Sequence, residues 1–298
     1  MRLDTASKRV LIFGIDGFTG NHLSAYLQNA GYDVYGTSYS GTSGKTFKVD
    51  ITYKADIDTV LREVIPDFII VLSGISFPAH GHNEDFYAIN TIGAINILDV
   101  LIHLNQNPKK IIMASSATVY GNQGVEVLDE TLCPKPTNHY GASKYAMESL
   151  SRNYFEKLNI IIARPFNYTG INQEDNFLIP KIIKHFKERK QTIELGNIDV
   201  SREFNDVGYV CEIYKKLLES SVLSEVVNLS ANRGIKLLDV IDMMNEMAGY
   251  NIEVKINPDF VREGEIKTLT GSCEKLFGLI GEVEQKEFKE TLRDMLEA

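Results

Sequence analysis

The chain has 298 residues, 44% of them hydrophobic, which suffices for one large domain or a domain with a smaller lobe. A formal net charge of -9 argues against a nucleic-acid binder, which needs a basic face for phosphates. Cys133, Cys211 and Cys273 stand far apart with no C-x-x-C pair, so neither a disulfide framework nor a metal site is suggested.

Residues 1–7 are short and polar, without the apolar core of a signal peptide, and no apolar run approaches membrane-spanning length. A cytoplasmic protein with no membrane partner is expected. Residues 9–13 form an apolar run followed by Gly14, Ile15, Asp16, Gly17, Phe18, Thr19 and Gly20, then a helical pattern through Ala30. This is strand, glycine turn, helix. Such glycines let a backbone approach a pyrophosphate at the positive end of the helix, although a simple tight turn uses them equally well.

A second strand, 33–37, runs into Ser38, Tyr39 and Ser40, where a dinucleotide fold places an acid for the adenosine ribose. No Asp or Glu stands in that stretch, which leans towards a 2'-phosphorylated cofactor, yet no arginine is there to pair with the phosphate. A third strand ends at Asp50, a candidate for contacting adenine or for capping a turn. A helix over 53–64 leads through Pro66 to the wholly apolar run 68–72, which suits a parallel strand covered on both faces. Ser73 to Ser76 leave its carboxyl end, where open α/β sheets bind ligands. The helix expected over 84–104 is apolar on several sides, so it is buried on more than one face and offers a dimer interface.

Residues 110–113 form the next strand, from which Ser115, Ser116, Ala117, Thr118, Val119, Tyr120 and Gly121 emerge. Tyr140 and Lys144 open a helix expected to run to about residue 158, and residues four apart share one face. A lysine cation there would favour phenolate and let tyrosine exchange a proton near neutral pH. Ser116 either binds the oxygen that Tyr140 protonates or satisfies loop backbone groups. The strand at 160–163 ends in Arg164, Pro165, Phe166 and Asn167. Strands alternate with helices up to this point, the pattern of a doubly wound parallel sheet. Beyond it the pattern predicts helices at 177–188, within 203–219 and at 237–248, and a strand at 226–229. Arg202 and Arg262 fall in loop-like segments, where each either clamps a phosphate or lies on the surface.

Several ordered motifs now stand together: G-x-x-G-x-x-G at Gly14, Gly17 and Gly20, S-S-A-T-V-Y-G from Ser115, Y-x-x-x-K at Tyr140 and Lys144, R-x-F-N at Arg164, and N-x-x-x-P at Asn176 to Pro180. The chain resembles the extended short-chain dehydrogenase/reductases that act on nucleotide sugars (the NAD-dependent epimerase/dehydratase family). The wording around Gly196 to Arg202 is most similar to that of the GDP-4-keto-6-deoxymannose reductases.

The resemblance implies a doubly wound (Rossmann) α/β sheet over 1–168, to which 198–222 returns, with a smaller C-terminal α/β substrate lobe from 169–197 and 223–298. It implies that Gly14, Gly17, Phe18, Thr19, Gly20, Asp50, Ile51, Ser73, Asn90, Tyr140, Lys144 and Pro165 hold NADP or NAD, with NADP favoured. Ser116, Tyr140 and Lys144 would be catalytic. Ser76, Ser116, Asn167, Asn176, Arg202, Arg262 and Glu265 would hold the nucleotide sugar. The implied reaction is reduction of a 4-keto-6-deoxy nucleotide sugar with Tyr140 as proton donor, in a cytoplasmic homodimer serving polysaccharide biosynthesis. A nucleotide-sugar 4-epimerase is the first alternative and a non-catalytic dinucleotide sensor the second. Thr118 stands where family dehydratases carry an acid, which argues against water elimination. Glu263 follows Arg262 where the reductases have proline, and Gly281 and Glu282 replace their G-W-x-P, which leaves base and sugar open.

Overall fold

The structure is a computed structural model that describes residues 8–41, 43–76, 82–261 and 267–298. The first half of the chain alternates as its apolar runs require. β1 (Arg9–Phe13) passes through the glycine turn to α1 (Phe18–Asn29), followed by β2 (Asp33–Ser38), β3 (Thr46–Lys48), α2 (Lys54–Val64) and β4 (Phe68–Val71). α3 (Asn83–Asp85), a π-helical stretch at Phe86–Gly93 and α4 (Ala94–His103) form one continuous run. Then come β5 (Lys110–Ala114), a 3-10 turn at Ala117–Tyr120, β6 (Val127–Leu128), α5 (His139–Ser151), β7 (Ile160–Pro165) and β8 (Tyr168–Thr169). The second half is made of shorter pieces: α6 (Leu178–Lys187), β9 (Thr192–Leu195), β10 (Ser201–Glu203), β11 (Asn205–Asp206), α7 (Val207–Glu219) and β12 (Glu225–Leu229). It closes with β13 (Gly234–Lys236), α8 (Leu237–Ala248), β14 (Glu253–Ile256), β15 (Thr268–Gly271), α9 (Glu274–Ile280) and α10 (Phe288–Glu297).

Seven strands form one parallel sheet in the order β12-β7-β5-β4-β1-β2-β3. Alternate residues of each strand point to opposite faces, and both faces are covered. Val10, Ile12, Ile70 and Ile112 pack with residues of α1 and α7, whereas Leu11, Phe13, Ile69 and Ile111 pack with α2 and α4. Burying each such side chain stabilises the fold by about 1.5–3 kcal/mol. Strand order reverses at β1, which lies between β2 and β4, and a crevice outside the carboxyl ends of the strands is the ligand position of such sheets. A second sheet, β13-β10-β15-β6, lies over the 3-10 turn, where Ala117, Tyr120, Leu128, Phe166 and Leu269 share a small apolar cluster.

Four features differ from the sequence expectation. Residues 225–229 sit in the large sheet, paired in register with β7 (Val226 with Ile162), not with the smaller sheets as their position beyond residue 223 suggested. α5 stops at Ser151 and passes into a 3-10 turn at Arg152–Tyr154, so Leu158 reaches the core from the approach to β7 instead of from a helix. Arg202 lies on β10, paired in register with Ile235 of β13 and Leu269 of β15, not in a loop. Finally, the run Asn83–His103 is long and apolar enough to cross a membrane by length and composition alone. Ile97, Leu98 and Leu101 in it are fully buried against the large sheet, the position of a core helix.

Candidate active site

The turn after β1 sits where the strand order reverses. Gly14 has a φ of +87°, and a Cβ there would lie 2.8 Å from the Ser73 backbone nitrogen. Gly20 is demanded from inside as well, since its Cβ would come 2.2 Å from the Gly14 carbonyl oxygen. Gly17 is different, because the nearest atom to a Cβ there is 3.6 Å away, an ordinary contact. It is the N-cap of α1, supplies no side-chain cap, and no acidic residue occupies the first turn. Amide donors at the positive end of a 12-residue helix, beside a glycine that no internal contact requires, fit a pyrophosphate. The residues present therefore fit a dinucleotide. Tyr168 supports the turn from the side, sharing a 2.6 Å hydrogen bond with Thr19 Oγ1 and stacking on Phe18 at 6.1 Å between centroids.

The second half of the site is the start of α5. Asn138 caps it by accepting the Gly141 N–H at 2.8 Å, which fixes the first turn and with it Tyr140. Tyr140 and Lys144 are both buried, at 8% and 6% exposure. Lys144 Nζ donates to the Ala114 carbonyl at the end of β5 over 2.9 Å. Ser116, two residues beyond β5, accepts from Thr118 Oγ1 at 2.9 Å and stands close enough to the Tyr140 side chain to lower its pKa. The three expected catalytic residues therefore converge at one strand end.

Burial sets the direction in which both groups shift. Burial raises the Tyr140 pKa, and Ser116 opposes it only in part, so the phenol stays protonated at neutral pH. The same burial pushes Lys144 down to about 8, against the pull of Glu148. Lys144 directs its ammonium at the Ala114 carbonyl, and burial is the largest influence on Tyr140. What results is a neutral acid beside a serine hydroxyl and a lysine that titrates close to neutrality. That combination suits proton delivery to an oxygen that is gaining negative charge.

Asn90, on the π-helical stretch, ties the loop after β4 to this centre. Its side chain accepts from Ile75 N at 2.8 Å and donates to Ile75 O at 3.1 Å and to Ser143 Oγ at 3.2 Å. Gly74 passes so close that a Cβ would lie 2.7 Å from Asn90 Oδ1 and 3.2 Å from Lys144 Nζ. Beneath Lys144 is a closed ion pair: Glu148 accepts from Arg164 Nη2 at 2.6 Å and Nε at 2.9 Å, and from Ser115 Oγ at 2.5 Å. Arg164 also lies over the Tyr120 ring at 4.8 Å, so this residue of the R-x-F-N motif is internal.

The remaining expected residues are more scattered. Ser73 hangs from the Phe13 carbonyl at 2.8 Å, Ser76 is exposed beyond it, and Pro165 ends β7. Asp50 uses Oδ1 on the Thr52 amide and hydroxyl at 2.9 and 2.7 Å, the turn-capping alternative, while Ile51 is buried where a Cβ on Gly93 would strike it. Asn167 is exposed, and its carbonyl accepts the Asn205 N–H. Asn176 is exposed ahead of α6 and donates to Glu174. Arg202 Nη1 donates to the carbonyls of Ser201 and Lys267 at 2.8 and 3.1 Å. Arg262 and Glu265 lie outside the described residues.

Sequence reasoning missed Thr118, which orients Ser116, and Ser143, whose hydroxyl donates to the Tyr140 carbonyl at 2.8 Å. Both lie inside motifs that had been read, so their chemistry was available. It also missed Asp16, which accepts from Ser38 Oγ at 2.6 Å. Among the described residues, no group of three or more His, Cys, Asp or Glu side chains is placed to hold a metal.

Residues 10–230 match the family model described as "NAD dependent epimerase/dehydratase family". The chain is 33% identical to GDP-6-deoxy-D-talose 4-dehydrogenase of Aggregatibacter actinomycetemcomitans, over 92% of this chain and 91% of that protein. It is 29% identical to GDP-6-deoxy-D-mannose reductase of Pseudomonas aeruginosa, over 97% and 96%. Among solved structures, that of RMD from Pseudomonas aeruginosa complexed with NADPH superposes with a TM-score of 0.87 at 27% identity, covering 98% of each chain. One from Burkholderia cenocepacia J2315, provisionally designated an epimerase, superposes with a TM-score of 0.92 at 39% identity over 98% of this chain and 97% of that one. With the seven-stranded doubly wound sheet, the glycine turn and the Tyr140–Lys144 pair in place, these matches identify the chain as a member of the NAD dependent epimerase/dehydratase family.

Proposed function

We propose that the chain reduces a 4-keto-6-deoxy nucleotide sugar, of the GDP-4-keto-6-deoxymannose type, with NADH or NADPH. The observation that carries this reading is the buried Tyr140, kept protonated by burial and placed beside Ser116 at the end of β5. Bound NAD(P)H supplies the hydride to the carbonyl carbon. Tyr140 gives its phenolic proton to the carbonyl oxygen as that oxygen gains charge, and the keto group becomes a secondary alcohol. Ser116 holds the same oxygen. Lys144 supplies positive charge nearby in the fraction of molecules in which it is protonated. Ketone, hydride and proton balance the alcohol formed.

The choice of substrate rests on the names of the two relatives, a GDP-6-deoxy-D-talose 4-dehydrogenase and a GDP-6-deoxy-D-mannose reductase. The sugar nucleotide would sit over Asn167, Asn176 and Arg202, with Arg262 and Glu265 at its far end. Ile92 and Leu150, exposed large apolar residues on neighbouring helices, support a homodimer through that face. We place the enzyme in the cytoplasm, in the biosynthesis of polysaccharide precursors. A 4-epimerase reading draws on the same residues and on matches such as UDP-glucose 4-epimerase 4 of Oryza sativa subsp. japonica, 24% identical.

The test is to follow reduced-nicotinamide absorbance with purified protein and freshly generated GDP-4-keto-6-deoxymannose. Stoichiometric oxidation supports the reductase. Interconversion of two sugar nucleotides with no change in absorbance makes it an epimerase, and neither event leaves a dinucleotide sensor.

A further inference from the structure

The end of β2, where the sequence stretch holds no acid, acquires one through the fold. Asp16 sits in the glycine turn between Ile15 and Gly17, and its Oδ2 accepts from Ser38 Oγ at 2.6 Å and from Ser40 Oγ at 3.2 Å. The two hydroxyls are 3.0 Å apart, and the Ser40 amide donates to Ser38 Oγ at 3.1 Å. Ser38 is buried and terminates β2, while Asp16 and Ser40 are exposed on the ligand side of the strand ends. Gly36 keeps the turn close to β2, since a Cβ there would meet the Ile15 side chain at 2.4 Å. The carboxylate is therefore held in place by two hydroxyls of the neighbouring strand.

Building on the dinucleotide reading of this turn, we infer that Asp16 accepts the 2'-hydroxyl of the adenosine ribose and makes the enzyme select NAD(H) over NADP(H). In doubly wound sheets the acid that takes this hydroxyl stands at the end of β2, and Asp16 brings a carboxylate to that place from the adjacent turn. A 2'-phosphate would set two or nearly two negative charges against it. Among the described residues no lysine or arginine forms an ion pair with Asp16. Lys48 on β3 stands opposite Ser38 in register, and the nearby Lys45 is paired with Asp33. The carboxylate is held between the glycine turn and the serines, where a 2'-phosphate on the ribose would face it. Hydroxyl donors, by contrast, are what the carboxylate already binds there, and a ribose hydroxyl is one more.

The test is calorimetric titration of the intact enzyme with NADH, NADPH, ADP-ribose and 2'-phospho-ADP-ribose, repeated on Asp16→Asn, Ser38→Ala and Lys48→Ala. Asparagine keeps the shape and can bond the serine hydroxyls but carries no charge. The expected result is that NADH binds at least about tenfold tighter than NADPH, the discrimination of one unfavourable charge contact. Asp16→Asn should remove most of that ratio, mainly by tightening NADPH, and ADP-ribose and its phosphorylated form should follow the same pattern. Lys48→Ala should leave the preference in place. Wild-type protein that binds NADPH as tightly as NADH, or an Asp16→Asn change that weakens both cofactors equally, overturns the inference while the dinucleotide reading stands. Binding of none of the four overturns both.

Discussion

Lys144 combines a chemical role with a thermodynamic cost, and replacing it separates the two. Burial takes its pKa from 10.5 to about 8, which corresponds to ~3 kcal/mol of unfavourable charge burial. Between those two values the unfolded chain binds more protons than the folded one, so this group makes stability rise with pH across about 8 to 10.5. Below about 8 its cost is fully present. Lys144→Met keeps the aliphatic stem and removes the charge, but it leaves the Ala114 carbonyl without its donor, which costs about 1–2 kcal/mol. The variant, free of dinucleotide, should therefore be about 1–2 kcal/mol more stable than wild type at pH 7 in urea denaturation. The advantage should vanish and reverse as pH rises past 10, where wild-type Lys144 is neutral in the folded state. It should also have lost most of its turnover. A Lys144→Met protein that is less stable at pH 7, or whose difference from wild type does not change with pH, would refute the reasoning.

Three further predictions bear on other parts of the site. Glu148→Gln leaves the Arg164 guanidinium in a closed interior without its counter-charge, and should cost about 3–5 kcal/mol in denaturant, with Glu148→Gln/Arg164→Met recovering part of the loss. Gly17→Ala should fold with wild-type stability yet bind dinucleotide at least about tenfold more weakly, because the added methyl makes only an ordinary 3.6 Å contact within the protein but would crowd the place of the pyrophosphate. Gly20→Ala, whose Cβ would overlap the Gly14 carbonyl, should lose both, and calorimetric titration beside thermal melts tells the two apart. Asn90→Ala releases the loop after β4 from Ser143 and should destabilise the fold by about 1–3 kcal/mol while lowering kcat, measured by denaturation and steady-state kinetics.

The large sheet was legible because most of its strands are short apolar runs bounded by turn residues such as Gly14, Gly31 and Pro66, and both faces of those strands are indeed covered. Tyr140 and Lys144 were legible through their four-residue spacing, which needs only a helix to bring them together. The extent of their burial, which raises the Tyr140 pKa and lowers that of Lys144, was not, since it depends on what packs over them. Arg202 and β10 illustrate a second limit. A three-residue strand carries no period to read, and pairing with β13 and β15 comes from segments more than thirty residues away. β12 escaped assignment to the large sheet for a related reason: its apolar run announces a strand but not which sheet it joins. Asp16 was read only as a turn residue, because its two serine partners stand 22 and 24 positions later.

The central claim is that Tyr140 delivers the proton to a substrate oxygen held in this buried site. Tyr140→Phe removes one hydroxyl from a side chain that is 8% exposed and leaves the ring in place. The measurement that tests the claim most directly is kcat for NAD(P)H oxidation with GDP-4-keto-6-deoxymannose, set beside calorimetric binding of GDP-mannose. We expect turnover to fall by about 10²–10⁴-fold with binding changed by less than about twofold. Turnover within a few-fold of wild type, or binding lost in parallel with it, would contradict the assignment.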